Sequence, residues 1–186
     1  MKLFLPLLAL SLVACQSSDQ KSKDPIEDNI VSHVISAEDI SNGVIYEANI
    51  RQYSPEGSFN AFTKDLPALK ELGVKIIWLM PINPISTTKS KGPLGSYYAI
   101  SDYKKVNPEF GTVSDFRNLV NKAHELGISV LLDWVPGHTG WDHIWIKDHP
   151  EYYLKNDKGE IIDPINHETG ESWGWTAVAD LDYENL

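Results

Sequence analysis

The chain has 186 residues, 42% of them hydrophobic and 23% charged, a globular composition with length for about one domain and one core. Its formal net charge of -10, with no basic patch, argues against a nucleic-acid partner, because binding a phosphate backbone relies on clustered Lys and Arg to release counterions. A single cysteine, Cys15, rules out a disulfide within the chain.

Lys2 followed by the apolar run 3–13 reads as the charged and hydrophobic regions of a signal peptide, the run being too short to cross a bilayer as a mature helix. The run ends in Leu12-Val13-Ala14-Cys15, which resembles the bacterial lipobox, where a cysteine after small residues is lipidated and becomes the new N-terminus. Residues 1–15 are therefore expected to direct export as a membrane-anchored lipoprotein, periplasmic or at the cell surface, with Cys15 as the lipidation site. Residues 16–39 are polar, rich in Ser, Asp and Lys, and show no apolar period, so they are expected to form a solvated tether. The folded part is expected to start near Ile40 and to occupy residues 40–186.

Residues 44–50 are a short strand-like run. Phe59, Phe62, Leu66, Leu69 and Leu72 then recur at steps of three and four, one face of a helix, which Gly73 closes; Pro67 inside it predicts a kink or a restart. The continuous apolar run 75–80, ended by Pro81, suits a strand buried on both faces, the habit of parallel sheets. After a long loop rich in Pro, Gly and Ser, Thr112 and Asp115 supply an N-cap with an acidic third residue. Val113, Phe116, Leu119, Val120, Ala123 and Leu126 then form a second helical stripe, ended by Gly127. Residues 129–135 form a third buried strand with Asp133 near its end. This order predicts a right-handed parallel βαβαβ unit.

An open doubly wound sheet and a closed (β/α)₈ barrel both begin this way. A dinucleotide-binding sheet should carry a glycine-rich turn after its first strand, but Arg51-Gln52-Tyr53-Ser54-Pro55 follows instead, which favours the barrel. A whole barrel takes about 250 residues, and three strands can be counted, so the fold class is the N-terminal part of a (β/α)₈ TIM barrel, about three βα units.

Polar and aromatic residues collect just past the three strand ends, where a barrel builds its active site. Three blocks there resemble the alpha-amylase family, the family 13 glycoside hydrolases: Gly73-Val74-Lys75-Ile76-Ile77-Trp78-Leu79-Met80-Pro81; Tyr98-Ala99-Ile100-Ser101-Asp102-Tyr103 with Asn107-Pro108-Glu109-Phe110-Gly111-Thr112; and Asp133-Trp134-Val135-Pro136-Gly137-His138-Thr139. The resemblance makes Tyr98 the aromatic platform under the sugar at the cleavage subsite, since pyranose C–H groups pack on an aromatic face while the hydroxyl stays wet. It makes His138 a donor to a sugar hydroxyl and Asp133 a support at the strand end, with Asp102 and Tyr103 supporting the loop. Residues 141–180 become a small B-domain excursion after the third strand. Its tryptophans either stack on sugars at outer subsites or pack the excursion, and His143 and His149, lacking metal-ligand spacing, read as ordinary loop residues.

Two departures carry consequences. Gly137 replaces the Asn whose side-chain oxygen binds calcium in calcium-dependent relatives, so calcium, the one cofactor the resemblance suggests, is weakened even though Asp180 aligns with another metal ligand. Ala99 replaces an Asp with which many exo-acting relatives hold a terminal glucose, which tilts the expectation toward endo-acting chemistry on longer alpha-glucans. The family is retaining, with a nucleophile and an acid/base about 5 Å apart. By resemblance these carboxylates and a third aspartate follow the fourth, fifth and seventh strands, beyond Leu186, so the 186 residues alone are expected to hydrolyse nothing. The alternatives are a lipid-anchored, non-catalytic carbohydrate-binding protein, a decayed gene product, or a doubly wound sheet holding a small ligand.

Overall fold

The computed structural model describes residues 31–185; the signal run, Cys15 and most of the expected tether lie outside them. The described chain begins earlier than the expected start near Ile40. The Val31 N–H donates to Asn121 and the Val31 carbonyl accepts from His124 Nδ1 at 2.6 Å, seating this segment on a later helix. Helix α1, Ala37–Asn42, follows, capped by the Ser36 hydroxyl. The end of the expected tether is thus structured, because its polar side chains make specific caps instead of remaining hydrated. Asp39, for example, pairs with Lys75 at 2.9 Å.

Strand β1, Val44–Ala48, is shorter than the 44–50 expected. Asn49 stops it by accepting the Gln52 N–H, which starts a single turn, α2, Ile50–Tyr53. Helix α3, Phe59–Glu71, is capped by Ser58 and buries Phe59, Phe62, Leu66 and Leu69. It runs unbroken through Pro67, so the expected restart does not occur. Pro67 lies on the exposed face, where water can satisfy the carbonyl that its missing N–H leaves free. Gly73, at φ 85°, ends the helix in the left-handed conformation that the sequence suggested.

Strand β2, Val74–Leu79, pairs in parallel with β1 on one side and with β3, Ser129–Leu132, on the other. Between β2 and β3, helix α4, Val113–Glu125, begins with a complete capping box of Thr112 and Asp115. Its buried Leu119 and Ala123 join the α3 face and the inner residues Ala48, Val74, Ile77 and Leu79 of the strands in one core. Phe59 binds the layers by edge-on contact with Phe110, ring centroids 6.0 Å apart. Each such fully buried side chain contributes roughly 1.5–3 kcal/mol of transfer free energy.

The order β1-β2-β3 leaves β2 central, and its burial matches expectation apart from a partly exposed Trp78. The third strand does not. It ends at Leu132 instead of continuing to Val135, and Leu131 and Leu132 are each 50% exposed, because among the described residues β3 has a neighbour on one side only. Beyond it, β4, His138–Gly140, pairs antiparallel with β5, Val178–Asp180. This ribbon closes the base of an excursion containing α5, Ile144–Asp148, and a 3₁₀ turn, Pro150–Tyr152.

Candidate functional site

Parallel strands ending side by side place their following residues on one rim. The Met80 N–H donates to the Ala48 carbonyl at 3.0 Å and the Asp133 N–H to the Leu79 carbonyl at 2.9 Å, so the chain leaves β2 and β3 in register. From β2 the long loop folds back on itself. Ser86 N–H reaches Ala99 O at 2.7 Å, Ser101 N–H reaches Pro84 O at 2.9 Å, and Ile85 bridges Ile100. This doubling carries Tyr98 over the end of β3, where its hydroxyl donates to Asp133 Oδ2 at 2.9 Å. Burial, then the hydrogen bond and charge of Asp133, push the Tyr98 phenol up to about 12, so it remains a protonated donor.

His138, on β4, lies 3.1 Å from the Tyr98 carbonyl through Nε2. A carbonyl can only accept, so Nε2 carries the proton. Burial pushes the imidazole below its ordinary value, against a smaller opposing pull from that bond, so the ring is neutral at neutral pH and Nδ1 is its acceptor. The resemblance implied a histidine donating to sugar; here the donor is already engaged by the backbone. Tyr98, His138, Lys91, Ser96, Trp175 and Ala177 line an open cavity of about 380 Å³. That falls in the range of ligand sites, about 300–1,000 Å³.

The two residues expected to support the loop do so differently. Asp102 faces its own turn: Oδ1 accepts the Lys104 N–H at 2.8 Å and Oδ2 pairs with Lys105 at 2.9 Å. Partial burial raises its carboxyl, but these partners outweigh it and hold the group below the usual range. Tyr103 packs against Trp134, His143 and Trp145, and its hydroxyl lies 2.7 Å from the carbonyls of both Val135 and His138.

Three positioning residues escaped the sequence reading. Asn83 directs its amide nitrogen at the carbonyls of Asp102, Tyr103 and Lys105, 3.0–3.3 Å away. Arg51 lies over the Tyr97 ring at 4.1 Å and donates to Leu94 O at 2.9 Å. Asp142 accepts the Thr87 N–H at 2.8 Å and the Thr88 N–H at 3.3 Å, joining the loop tip to the excursion. Each binds backbone far away in sequence, so no local pattern announces it.

His143 and His149 have partners within the excursion. His143 is buried and its Nδ1 accepts the Trp145 N–H, while His149 stacks on Tyr152 and pairs with Glu151. Gly137 supplies no side-chain oxygen of the kind that binds calcium in calcium-dependent relatives. A Cβ built on Gly137 would meet nothing within 4 Å, so the space for the missing donor is open. Burial raises the Asp180 carboxyl, and among the described residues no three His, Cys, Asp or Glu gather as a ligand set.

A parallel α/β sheet with an aromatic, hydrogen-bonded site at its strand ends is the architecture of a barrel-type domain. The chain belongs to the alpha-amylase family: the model of the alpha amylase catalytic domain matches residues 18–178. It is 44% identical over 92 residues to alpha-amylase SusG of Bacteroides thetaiotaomicron, covering 50% of this chain and 12% of that protein. It is 31% identical to an alpha-glucosidase of Apis mellifera over 91% of this chain and 30% of the relative. The crystal structure of an alpha-amylase from Lactobacillus plantarum superposes with a TM-score of 0.71 at 43% identity, covering 77% of this chain and 32% of that one. The chain thus spans a third or less of these relatives' lengths, and its three parallel strands are part of a (β/α)₈ barrel.

Proposed function

We propose that the protein is an alpha-amylase-type glycoside hydrolase that cleaves alpha-glucosidic bonds in starch-like glucans with retention of configuration, and that these residues build the sugar-holding side of its cleft. The observation that carries the reading is the convergence of Tyr98, Asp133 and His138 through bonds of 2.9 and 3.1 Å at the ends of adjacent strands. Tyr98 offers a flat face for a glucosyl ring. Asp133 fixes that ring's tilt through the phenol hydroxyl, and neutral His138 presents Nδ1 to a sugar hydroxyl as an acceptor. Asp102 and Tyr103 hold the loop and the turn on which these groups stand. The buried Ala99 methyl offers no charged group to a terminal glucose, which supports action within longer chains.

The protein is also proposed to act outside the cytoplasm, held to a membrane by a lipid on Cys15; mass spectrometry of the mature N-terminus tests this, and an unmodified Cys15 thiol in the membrane fraction contradicts it. For the reaction, reducing-sugar release from soluble starch by the full-length protein is the test. Tyr98→Ala and His138→Ala are expected to lower kcat/KM by roughly 100-fold, equivalent to ~2.7 kcal/mol. No release by the wild type, or variants equal to it, overturns the reading.

A further inference from the structure

Trp141 and Trp145 have packing partners. Trp141 donates to the Thr176 carbonyl at 3.0 Å and carries Lys89 over its ring at 3.2 Å. Trp145 is enclosed by Tyr103, His143 and Tyr152. Trp173 and Trp175 differ: each is 55% exposed, and they stack on one another with centroids 6.2 Å apart and planes 27° from parallel.

The backbone that presents them is held firmly. Trp173 N–H donates to Pro164 O at 2.9 Å, Gly174 N–H to the Ser172 hydroxyl at 2.8 Å, and Lys91 Nζ to Gly174 O at 2.7 Å. Ser172 itself donates to Asp163. Gly174 sits between the indoles at φ +73°, a left-handed conformation that strains any L side chain, while its Cβ position is open. Glycine is therefore required by the backbone and not by crowding, and the conformation it permits sets two large rings side by side in water. Among the described residues, packing within the excursion leaves each ring 55% exposed and so does not by itself account for the arrangement.

Their position does. Trp175 lines the same cavity as Tyr98 and His138, its ring 6.4 Å from that of His138. Trp173, stacked on Trp175, adds a second half-exposed ring beside this cavity. Lys91, the cation on that wall, bonds the loop carbonyl, which suits an uncharged ligand. We infer that Trp175 and Trp173 form an outer platform on which successive glucosyl units of one alpha-glucan chain stack as it leaves the Tyr98–His138 cleft, so that this pair sets a preference for longer substrates. The inference rests on the alpha-glucan reading of that cleft.

The test is calorimetric binding of maltotriose and maltoheptaose to the full-length protein and to its Trp173→Ala, Trp175→Ala and paired variants, with Trp→Phe versions that keep a flat ring. The ratio of maltoheptaose to maltotriose affinity is expected to fall about tenfold in the paired Ala variant, equivalent to ~1.4 kcal/mol, and to recover most of that in the paired Phe variant. An unchanged ratio overturns the platform while leaving the cleft reading intact. Equal loss in the Phe and Ala variants also overturns it, since it assigns the indoles a structural role. If the wild type binds neither sugar and Tyr98→Ala alters nothing, the cleft reading fails and the platform fails with it.

Discussion

The hydroxyl of Tyr103 lies 2.7 Å from the backbone oxygen of His138 and the same distance from that of Val135, so one phenol ties together both ends of the turn that carries the histidine away from β3. Burial pushes this phenol well above its ordinary range, keeping it a donor at every physiological pH. Tyr103→Phe leaves two carbonyls of a packed turn without that donor and is expected to cost about 1–2 kcal/mol. Urea unfolding measures the loss, and affinity for maltoheptaose should fall with it. A variant as stable as wild type contradicts the role given to Tyr103.

Gly140 lies close against the loop bearing Tyr98, its N–H donating to the Ile100 carbonyl at 2.7 Å. A Cβ there would stand 2.2 Å from Ser86 Cβ and 3.1 Å from the Ala99 carbonyl. Ser86 is itself buried, so neither side can yield cheaply. Gly140→Ala is expected to destabilise by roughly 1–3 kcal/mol through overpacking. Adding Ser86→Gly should recover part of this, a coupling that a double-mutant cycle reads directly. Strict additivity of the two substitutions counts against the contact.

Asp142 anchors the tip of the same loop by accepting from Thr87 and Thr88. Burial raises its carboxyl, but the N–H bonds prevail and the group stays below the usual range. Its contribution is therefore full above the ordinary carboxylate pKa and is lost as pH falls through the lowered one. Asp142→Ala should speed amide exchange in residues 87–97 by about tenfold, the size of a charge-assisted bond of ~1.5 kcal/mol. Unchanged exchange would assign the loop's order elsewhere.

His138 and His143 both stand below the ordinary imidazole pKa, burial being the larger cause in each; for His143 the charges of Asp102 and Asp142 pull the other way. Above about pH 6.5 the folded and unfolded rings are both neutral and nothing is lost. Below it the unfolded chain binds protons that the folded chain resists, so stability falls with pH until the depressed values are passed. The urea midpoint should drop between pH 7 and 5, with a slope of at most ~1.4 kcal/mol per pH unit for each ring. His143→Asn, which keeps an acceptor for the Trp145 N–H, should shrink that drop. A midpoint flat across this window contradicts the burial argument.

What was legible in the sequence follows from how local each cause is. The stripe from Phe59 to Leu69, the Thr112–Asp115 capping box, and Gly73 and Gly127 at the helix ends act within a turn or two, and the structure has them where the pattern put them, although Leu72, read as the last member of that stripe, is the C-cap and 75% exposed. The ordering of Tyr98, Asp133 and His138 followed from parallel strands ending together, and the structure brings those three into contact. Strand ends were overrun: Asn49 stops β1 through a side-chain bond that apolar runs do not report, and β3 ends at Leu132. Pro67 does not restart the helix, which tolerates it on a wet face. Asn83, Arg51 and Asp142 could not be seen, because each acts on backbone brought near by the fold. The tryptophans divided by environment: Trp141 and Trp145 pack, while Trp173 and Trp175 stay in solvent.

The most direct measurement is a crystal structure of the full-length protein soaked in maltoheptaose. The account predicts a glucosyl ring lying flat on Tyr98 with one hydroxyl within hydrogen-bond reach of His138. A saccharide bound elsewhere, with the Tyr98 face bare, would contradict it.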